Sequence, residues 1–330
     1  MAAKTETSLQ PATERVERFE RALGPLAKPG TKLGVAVSGG PDSLALLLLA
    51  AAARPGEVEA ATVDHALRPD AKAEAEMVAA LCKRLGVPHS ILTVEWDEKP
   101  ETAIQERARI ARYRLLGEWA KERELGAVVV AHHVDDQAET FIMRLARGAG
   151  VKGLAAMRRI NVPARGVAAL IRPLLGWRRS DLEEICTEAE LKPATDPSNE
   201  DEQFERVRVR KALGQADWLD AAAIAASANH LAQADAALHW ATTQEWRRAV
   251  TRGGGGLIYQ PRNAPPEIRR RIARRAVMRL ATEGGGAELR GRELDQLMAA
   301  MMRGRKATLR GVLCSGGKQW RFTKAPPRNG

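Results

Sequence analysis

The string VAVSGGPDS, residues 35–43, sets two glycines, two serines, a proline and an aspartate between an apolar run and a helix-forming run. A strand-to-helix turn of this kind aims backbone amides into the helix entry, where the helix dipole favours an anion. Gly39 and Gly40 allow backbone angles and a close approach that a Cβ would block. Pro41 suits the first helical turn, where its missing N–H would be unpaired anyway. Ser38 and Ser43 can donate to phosphate oxygens, and Asp42 can cap the helix or ligate magnesium. The string contains neither GKS/GKT nor GxGxxG, which argues against a Walker loop and weakens a dinucleotide reading.

A second constellation lies in AHHVDDQAETFIMRLARGAGVKGLAAM, residues 131–157. His132 and His133 at a strand end, with Asp135 and Asp136 in the following helix turn, bring hydrogen-bonding, metal-binding and proton-accepting groups into one short arc. Zinc is the rival reading. It is disfavoured because adjacent histidines in an extended backbone point to opposite sides and no cysteine lies close in sequence. A third string, VDHALR at residues 63–68, places Asp64 and His65 after another apolar run.

Short apolar runs at residues 33–37, 60–63, 90–94 and 128–131 read as buried strands separated by helix-length segments. That series predicts an α/β fold, a parallel sheet flanked by helices on both faces, with ligands beyond the carboxyl ends of the strands. All three motifs fall at those ends. From Asp217 to about Val250 an Ala-rich segment free of proline and glycine predicts one long helix. Beyond it, glycines at 253–256 and 284–286 and prolines within 261–266 punctuate a smaller, mainly helical basic domain, with a helix from Pro266 to Leu280. The expected division is a catalytic domain over residues 1–215 and a second domain over 216–330.

With 330 residues, 45% hydrophobic and 28% charged, the chain matches ordinary globular composition. The longest apolar run has ten residues, against roughly 20 for a membrane span. The opening residues have no apolar segment of the secretory kind, so a cytoplasmic location is expected. Cys82, Cys186 and Cys314 lie more than 100 positions apart, which removes zinc ribbons, dithiol redox pairs and most cysteine-held iron–sulfur clusters. They read as filler.

The net charge of +11 is segregated: residues 1–200 carry −1 and residues 201–330 carry +12. Clustered Arg and Lys gain affinity by releasing counterions from phosphates, so a nucleic-acid partner is expected. Arg206, Arg208 and Arg210 would share a face if extended and fan out on a helix. In the run Arg269, Arg270, Arg271, Arg274, Arg275 and Arg279, positions 271, 275 and 279 share a helix face. Trp240, Trp246 and Trp320 can stack on bases, but helix packing is the expectation.

The SGGPDS string resembles the pyrophosphate loop of ATP pyrophosphatases that cleave between the α- and β-phosphates and leave AMP. Taken with VDHALR, the HHVDD segment, ARIARY at 108–113, RPLL at 172–175, DPSN at 196–199 and FERVRVRKAL at 204–213, the chain is similar to the tRNA(Ile)-lysidine synthetase family from about residue 33 to residue 211. Longer members carry a further carboxyl-terminal domain beyond the point where this sequence stops. The resemblance implies a ligase using ATP and Mg2+ to adenylate the C2 oxygen of the wobble cytidine, position 34, of a CAU-anticodon tRNA(Ile). Free L-lysine then attacks C2 through its ε-amine and AMP leaves. No membrane partner is expected, and a homodimer stays open.

On that resemblance the nucleotide falls to Ser38, Gly39, Gly40, Pro41, Asp42, Ser43, Asp64 and His65, with Asp42 also on magnesium. Chemistry falls to Asp42, His133 on the α-phosphate, and Asp135 and Asp136 on the lysine amine. RNA contact falls to Arg109, Arg112, Arg206, Arg210, Arg271 and Arg275. A tRNA sulfurtransferase or amidotransferase-type synthetase would share the loop, and a noncatalytic RNA-binding protein would share only the basic tail.

Overall fold

The computed structural model describes residues 9–67, 71–96, 102–162, 168–194, 201–281, 289 and 291–326. The chain divides into two compact units, Met1–Gly148 with Gly153–Asn229, and Ala149–Lys152 with His230–Gly330. The first opens with α1 (Thr13–Leu23), β1 (Leu33–Ala36), α2 (Pro41–Ala53), β2 (Val58–Asp64) and α3 (Ala71–Leu85). It continues with β3 (His89–Thr93), α4 (Ile104–Glu122), β4 (Ala127–Val129) and α5 (Val134–Ala146). After the single turn α6 (Val151–Leu154) come β5 (Ile160–Asn161), β6 (Ala169–Ile171), α7 (Arg179–Glu188), α8 (Glu205–Gln215) and the long α9 (Ala221–Ala249), in which the unit boundary falls.

The sheet order is β3-β2-β1-β4-β6-β5, parallel throughout except that β5 runs antiparallel to β6. The chain builds outward from β1 to β3 and then returns to lay β4 on the other side of β1. A crevice therefore opens between the carboxyl ends of β1 and β4, the place where such sheets bind ligands.

Two apolar layers hold this sheet. Helix α2 is apolar all round, its side chains from Leu44 to Ala50 are all buried, and it packs on the sheet and on α1 and α7. Full burial of each leucine contributes about 1.5–3 kcal/mol, so the helix that begins at the loop motif is the most firmly anchored in the unit. On the other face Leu116, Trp119 and Ala120 of α4 pack with Leu125, Val128 and Leu170. Here the sequence needs a glycine: a Cβ on Gly34 of β1 would lie 2.5 Å from the Trp119 ring. The expected strands are found with ends shifted by one or two residues. Strands β5 and β6, two and three residues long, are too short to leave a periodic signal.

The second unit contains the rest of α9, the hairpin β7 (Val250–Gly253) and β8 (Gly256–Tyr259), then α10 (Pro266–Leu280), α11 (Gly291–Met302), β9 (Lys306–Leu309), β10 (Val312–Ser315) and β11 (Trp320–Lys324). Helices predominate, and α10 has the expected bounds. They pack with a five-stranded antiparallel sheet, β7-β8-β11-β10-β9, which the sequence reading did not include. Its four- and five-residue strands alternate buried and exposed positions too briefly to stand out among arginines. Trp320 lies in this core, edge-on to Tyr259 at 5.7 Å. Trp246 packs partly buried against the same core. Trp240 departs from expectation, standing 66% exposed because positions 236, 237, 240 and 244 form the solvent face of α9. All three cysteines are buried, and burial pushes the Cys82 and Cys314 thiols up to about 12. Among the described residues no helix is long and apolar enough to cross a membrane.

Candidate active site

The loop after β1 is shaped by its own serines. Ser38 N donates to Ser43 Oγ at 3.1 Å, and Ser43 Oγ donates to Gly40 O at 2.9 Å. Ser43 is buried, so its hydroxyl proton serves the loop. Gly39 takes φ +88°, a region where an L side chain is strained, and its carbonyl accepts from Ala194 N at 2.9 Å. Gly40 is the N-cap of α2 and Pro41 its first residue. The amides of Gly39, Gly40 and Asp42 take no acceptor among the described residues. They remain available at the positive end of a thirteen-residue helix.

Across the crevice, β4 delivers His133 as the N-cap of α5. Its backbone N–H donates to Asp136 Oδ2 at 3.0 Å. The imidazole is 3% exposed and ringed by carboxylates. Nε2 lies 3.5 Å from both Asp42 Oδ2 and Asp136 Oδ2, and Nδ1 lies 3.2 Å from Asp135 Oδ2. The Nδ1 contact is off-line, an ion pair and not an aligned hydrogen bond. Burial works to lower the His133 pKa, but the carboxylates of Asp135, Asp42 and Asp136 outweigh it and raise the value to about 10. His133 is therefore an imidazolium at neutral pH.

The three carboxylates are not equivalent. Burial acts to raise Asp135, but His133 and the Arg179 amide, which donates at 2.9 Å, hold it down at about 2. For Asp136 burial dominates and raises its pKa despite His133 and Arg206. Asp42 has a buried Oδ1 with no hydrogen-bond partner. A bare carboxylate oxygen beside a phosphate-type loop fits magnesium, which takes hard oxygens and shares its shell with substrate phosphates and water. No group of three or more His, Cys, Asp or Glu among the described residues could hold a metal unaided.

Glu139, one turn beyond Asp136, was missed in the sequence. It is 2% exposed and accepts from Arg206 Nε at 2.5 Å and Arg210 Nε at 2.6 Å. Arg206 also donates to Asp136 Oδ1 at 2.6 Å. The segment carrying these arginines is helical, so Arg206 and Arg210 share a face by their i,i+4 spacing while Arg208 turns away to the carbonyls of Glu202 and Gln203. The i,i+3 spacing of Asp136 and Glu139 was the available signal.

Asp64 and His65 close β2: Asp64 Oδ1 accepts from the Ala66 amide at 2.8 Å, and the His65 carbonyl accepts from Trp96 Nε1 at 2.7 Å. His132 differs from its neighbour. Burial, then the charge of Arg172, hold its pKa well below the ordinary value, and its Nδ1 accepts from Arg172 Nε at 3.2 Å. Arg109 and Arg112 lie against Tyr113. In the second unit Arg271 is tied to Asp235 and Glu267, both at 2.7 Å, and Arg275 stacks 4.5 Å from the Trp246 ring. Arg68 and the DPSN string lie outside the described residues.

A PP-loop domain profile matches residues 11–217. A tRNA(Ile)-lysidine synthase of Zymomonas mobilis is 44% identical over 314 residues, covering 94% of this chain and 94% of its own length. One from Novosphingobium aromaticivorans is 44% identical over 321 residues, covering 97% of this chain and 95% of its own. Among solved structures, the U34-tRNA thiolase NcsA of Methanococcus maripaludis superposes with a TM-score of 0.57 at 18% identity, over 66% of this chain and 78% of that one. At that identity the likeness concerns the fold.

Proposed function

The chain belongs to the tRNA(Ile)-lysidine synthase family, and from that premise we propose that it joins lysine to C2 of the wobble cytidine of a CAU-anticodon tRNA(Ile). ATP is converted to AMP and pyrophosphate through an adenylated cytidine. The observation that carries the mechanism is the meeting, at the ends of β1 and β4, of open loop amides with a buried imidazolium set among three aspartates.

Each group has a task suited to its state. The amides of Gly39, Gly40 and Asp42 at the positive end of α2 receive the departing pyrophosphate. Ser38 lines the same turn, and Asp64 and His65 border the nucleotide from β2. His133, positively charged, faces the charge that grows at the α-phosphate. Magnesium bound with ATP at Asp42 would supply further neutralisation of the phosphates. Lysine arrives as a cation and must react as an amine. Asp135, ionised down to about pH 2, binds the ε-ammonium, and Asp136, whose burial raises its proton affinity, takes the proton.

Residues 1–215 supply this chemistry and residues 216–330, with their basic excess, hold the RNA in the cytoplasm, where tRNA and free lysine meet. Arg206 and Arg210 reach RNA by exchanging their carboxylate partners and Arg275 presents a guanidinium already stacked on an indole, whereas Arg271 fastens its helix to Asp235. Mass spectrometry of the anticodon nucleoside after incubation with ATP, lysine and tRNA(Ile) tests the reading. Lysidine should form only when all three are present. Pyrophosphate release with no lysine entering the RNA would overturn it.

A further inference from the structure

Beyond the end of β3 stands Trp96, a partly buried indole for which the mechanism above has no task. Val94 N donates to Asp64 O at 2.8 Å, so this segment carries β3 on alongside the end of β2. Trp96 Nε1 donates to the His65 carbonyl at 2.7 Å. The amide on the other side of that same peptide bond, Ala66 N, donates to Asp64 Oδ1 at 2.8 Å. Both polar ends of one peptide unit are thus held by side chains. Arg107 of α4 lies 5.9 Å from the indole centroid, over the ring and clear of its N–H.

Ala66 takes φ +52°, the left-handed region that a residue with a Cβ enters only at a cost. Turning over the 65–66 peptide plane changes ψ of His65 and φ of Ala66 together, and so lets Ala66 relax to a negative φ. It would also swing the carbonyl off Trp96 and the amide off Asp64, since a trans peptide carries the two on opposite edges. Neither bond belongs to the β2–β3 ladder. What they hold is one orientation of one peptide, against its local preference. Glu124 and Glu190 also have positive φ, but as residues that end α4 and α7. Ala66 stands elsewhere: β1 and β2 are parallel, with Ala36 opposite Ala61, so its turn lies on the same rim of the sheet as the loop of residues 38–43. Backbone strain kept at a ligand-binding rim points to a shape that the ligand requires.

We propose that Trp96 is a positioning residue for the nucleotide: with Asp64 it clamps the 65–66 peptide plane, so that the turn after β2 has its binding shape before ATP arrives. It acts through the turn and not on the reacting atoms. The clamp sets the fraction of molecules whose turn is competent, and an apparent dissociation constant rises as that fraction falls. This assignment rests on the reading that the end of β2 borders the nucleotide.

The test compares the full chain with Trp96→Phe, Ala66→Val and the double variant Trp96→Phe/Ala66→Gly. Binding of a non-hydrolysable ATP analogue and the kinetics of lysidine formation are measured, with thermal midpoints as the folding control. Trp96→Phe keeps a ring beside Arg107 and deletes the N–H. Loss of that one bond should weaken analogue binding about three- to tenfold and raise KM for ATP to match, with kcat and the KM values for lysine and tRNA(Ile) unchanged. Glycine enters the left-handed region freely, so adding Ala66→Gly should recover most of the lost affinity without restoring the bond. Ala66→Val, with its β-branch, should weaken the analogue while Trp96 is in place, and it covers the case in which Trp96→Phe does not fold. Unchanged analogue affinity in the folded single variants, with only the midpoint lowered, would make Trp96 a structural residue and overturn the proposal. A loss of affinity that Ala66→Gly fails to recover would overturn it as well. A wild-type chain that does not bind the analogue would remove the nucleotide reading and the clamp together, whereas one that binds it, passes these tests and makes no lysidine would sink the proposed function and leave the clamp standing.

Discussion

His133 is held as a cation by three carboxylates, and that charge ties stability to pH. Its pKa rises from 6.5 to about 10 on folding. The group therefore contributes stability that is fully present below the unfolded value and is lost as pH rises towards about 10. Urea unfolding of the wild type should show a decline between pH 7 and pH 9.5, a window inside that shift. The decline should be absent in His133→Gln. Asp135 acts in the opposite window, its contribution being lost as pH falls from 3.8 through about 2. A second prediction concerns Asp42, whose Oδ1 is the bare buried oxygen of the site. Asp42→Asn keeps the shape and removes the charge, so kcat/KM for lysidine formation should fall by about 100-fold or more, with the magnesium dependence flattened in a steady-state titration. These residues were legible in the sequence because SGGPDS and HHVDD are contiguous strings. A task for Glu139 was not, nor one for Arg172 although RPLL marks it as part of a motif, since each acquires its partners only when separate elements pack, α8 against α5 and β6 beside β4.

At the scale of elements, the pairing of α5 with α8 rests on charge as well as contact. Glu139 supplies both carboxylate oxygens to Arg206 and Arg210 from a position that is 2% exposed, while the arginines are about one-third exposed. Removing the charge strands the Arg210 guanidinium at the edge of solvent and leaves Arg206 on Asp136 alone, and partial exposure discounts the cost of a fully buried break. Glu139→Gln should destabilise by about 1–3 kcal/mol, read as a shift in urea midpoint at unchanged m-value. On the sheet, Gly34→Ala would drive a methyl to 2.5 Å from the Trp119 ring. Overpacking of this kind costs about 1–3 kcal/mol, and near-ultraviolet circular dichroism of the displaced indole should change with it. The parallel strands were legible because each is an apolar run bounded by helix-length segments. The second unit's sheet was not: its strands are short, antiparallel and interleaved with basic residues, and they become a core only by closing on α10 and α11.

Over the whole molecule, the charge excess of residues 201–330 matters only where it faces outward. Several arginines of the basic helix are used internally: Arg269 donates to the carbonyls of Ala264 and Arg262, Arg270 to Asp295, and Arg271 to Asp235 and Glu267. The helix is thus fastened by part of the charge that, in sequence, reads as a ligand surface. Arg252 and Arg279 line an exposed cleft of about 420 Å³ with the glycines of the β7–β8 hairpin, and there the charge does meet solvent. The two classes should separate cleanly. Arg279→Gln should leave the thermal midpoint in place and reduce the salt slope of tRNA binding by about one, the signature of one lost phosphate contact. Arg271→Gln removes the ion pair that joins α10 to the buried Asp235 and should lower the midpoint by several degrees, corresponding to about 1–3 kcal/mol, before any change in slope is seen. If Arg279→Gln left the slope untouched and Arg271→Gln lowered it in a fully stable protein, the assignment of inward and outward charge would be reversed, and the RNA surface would have to be sought on the face of α10 that now closes against α9.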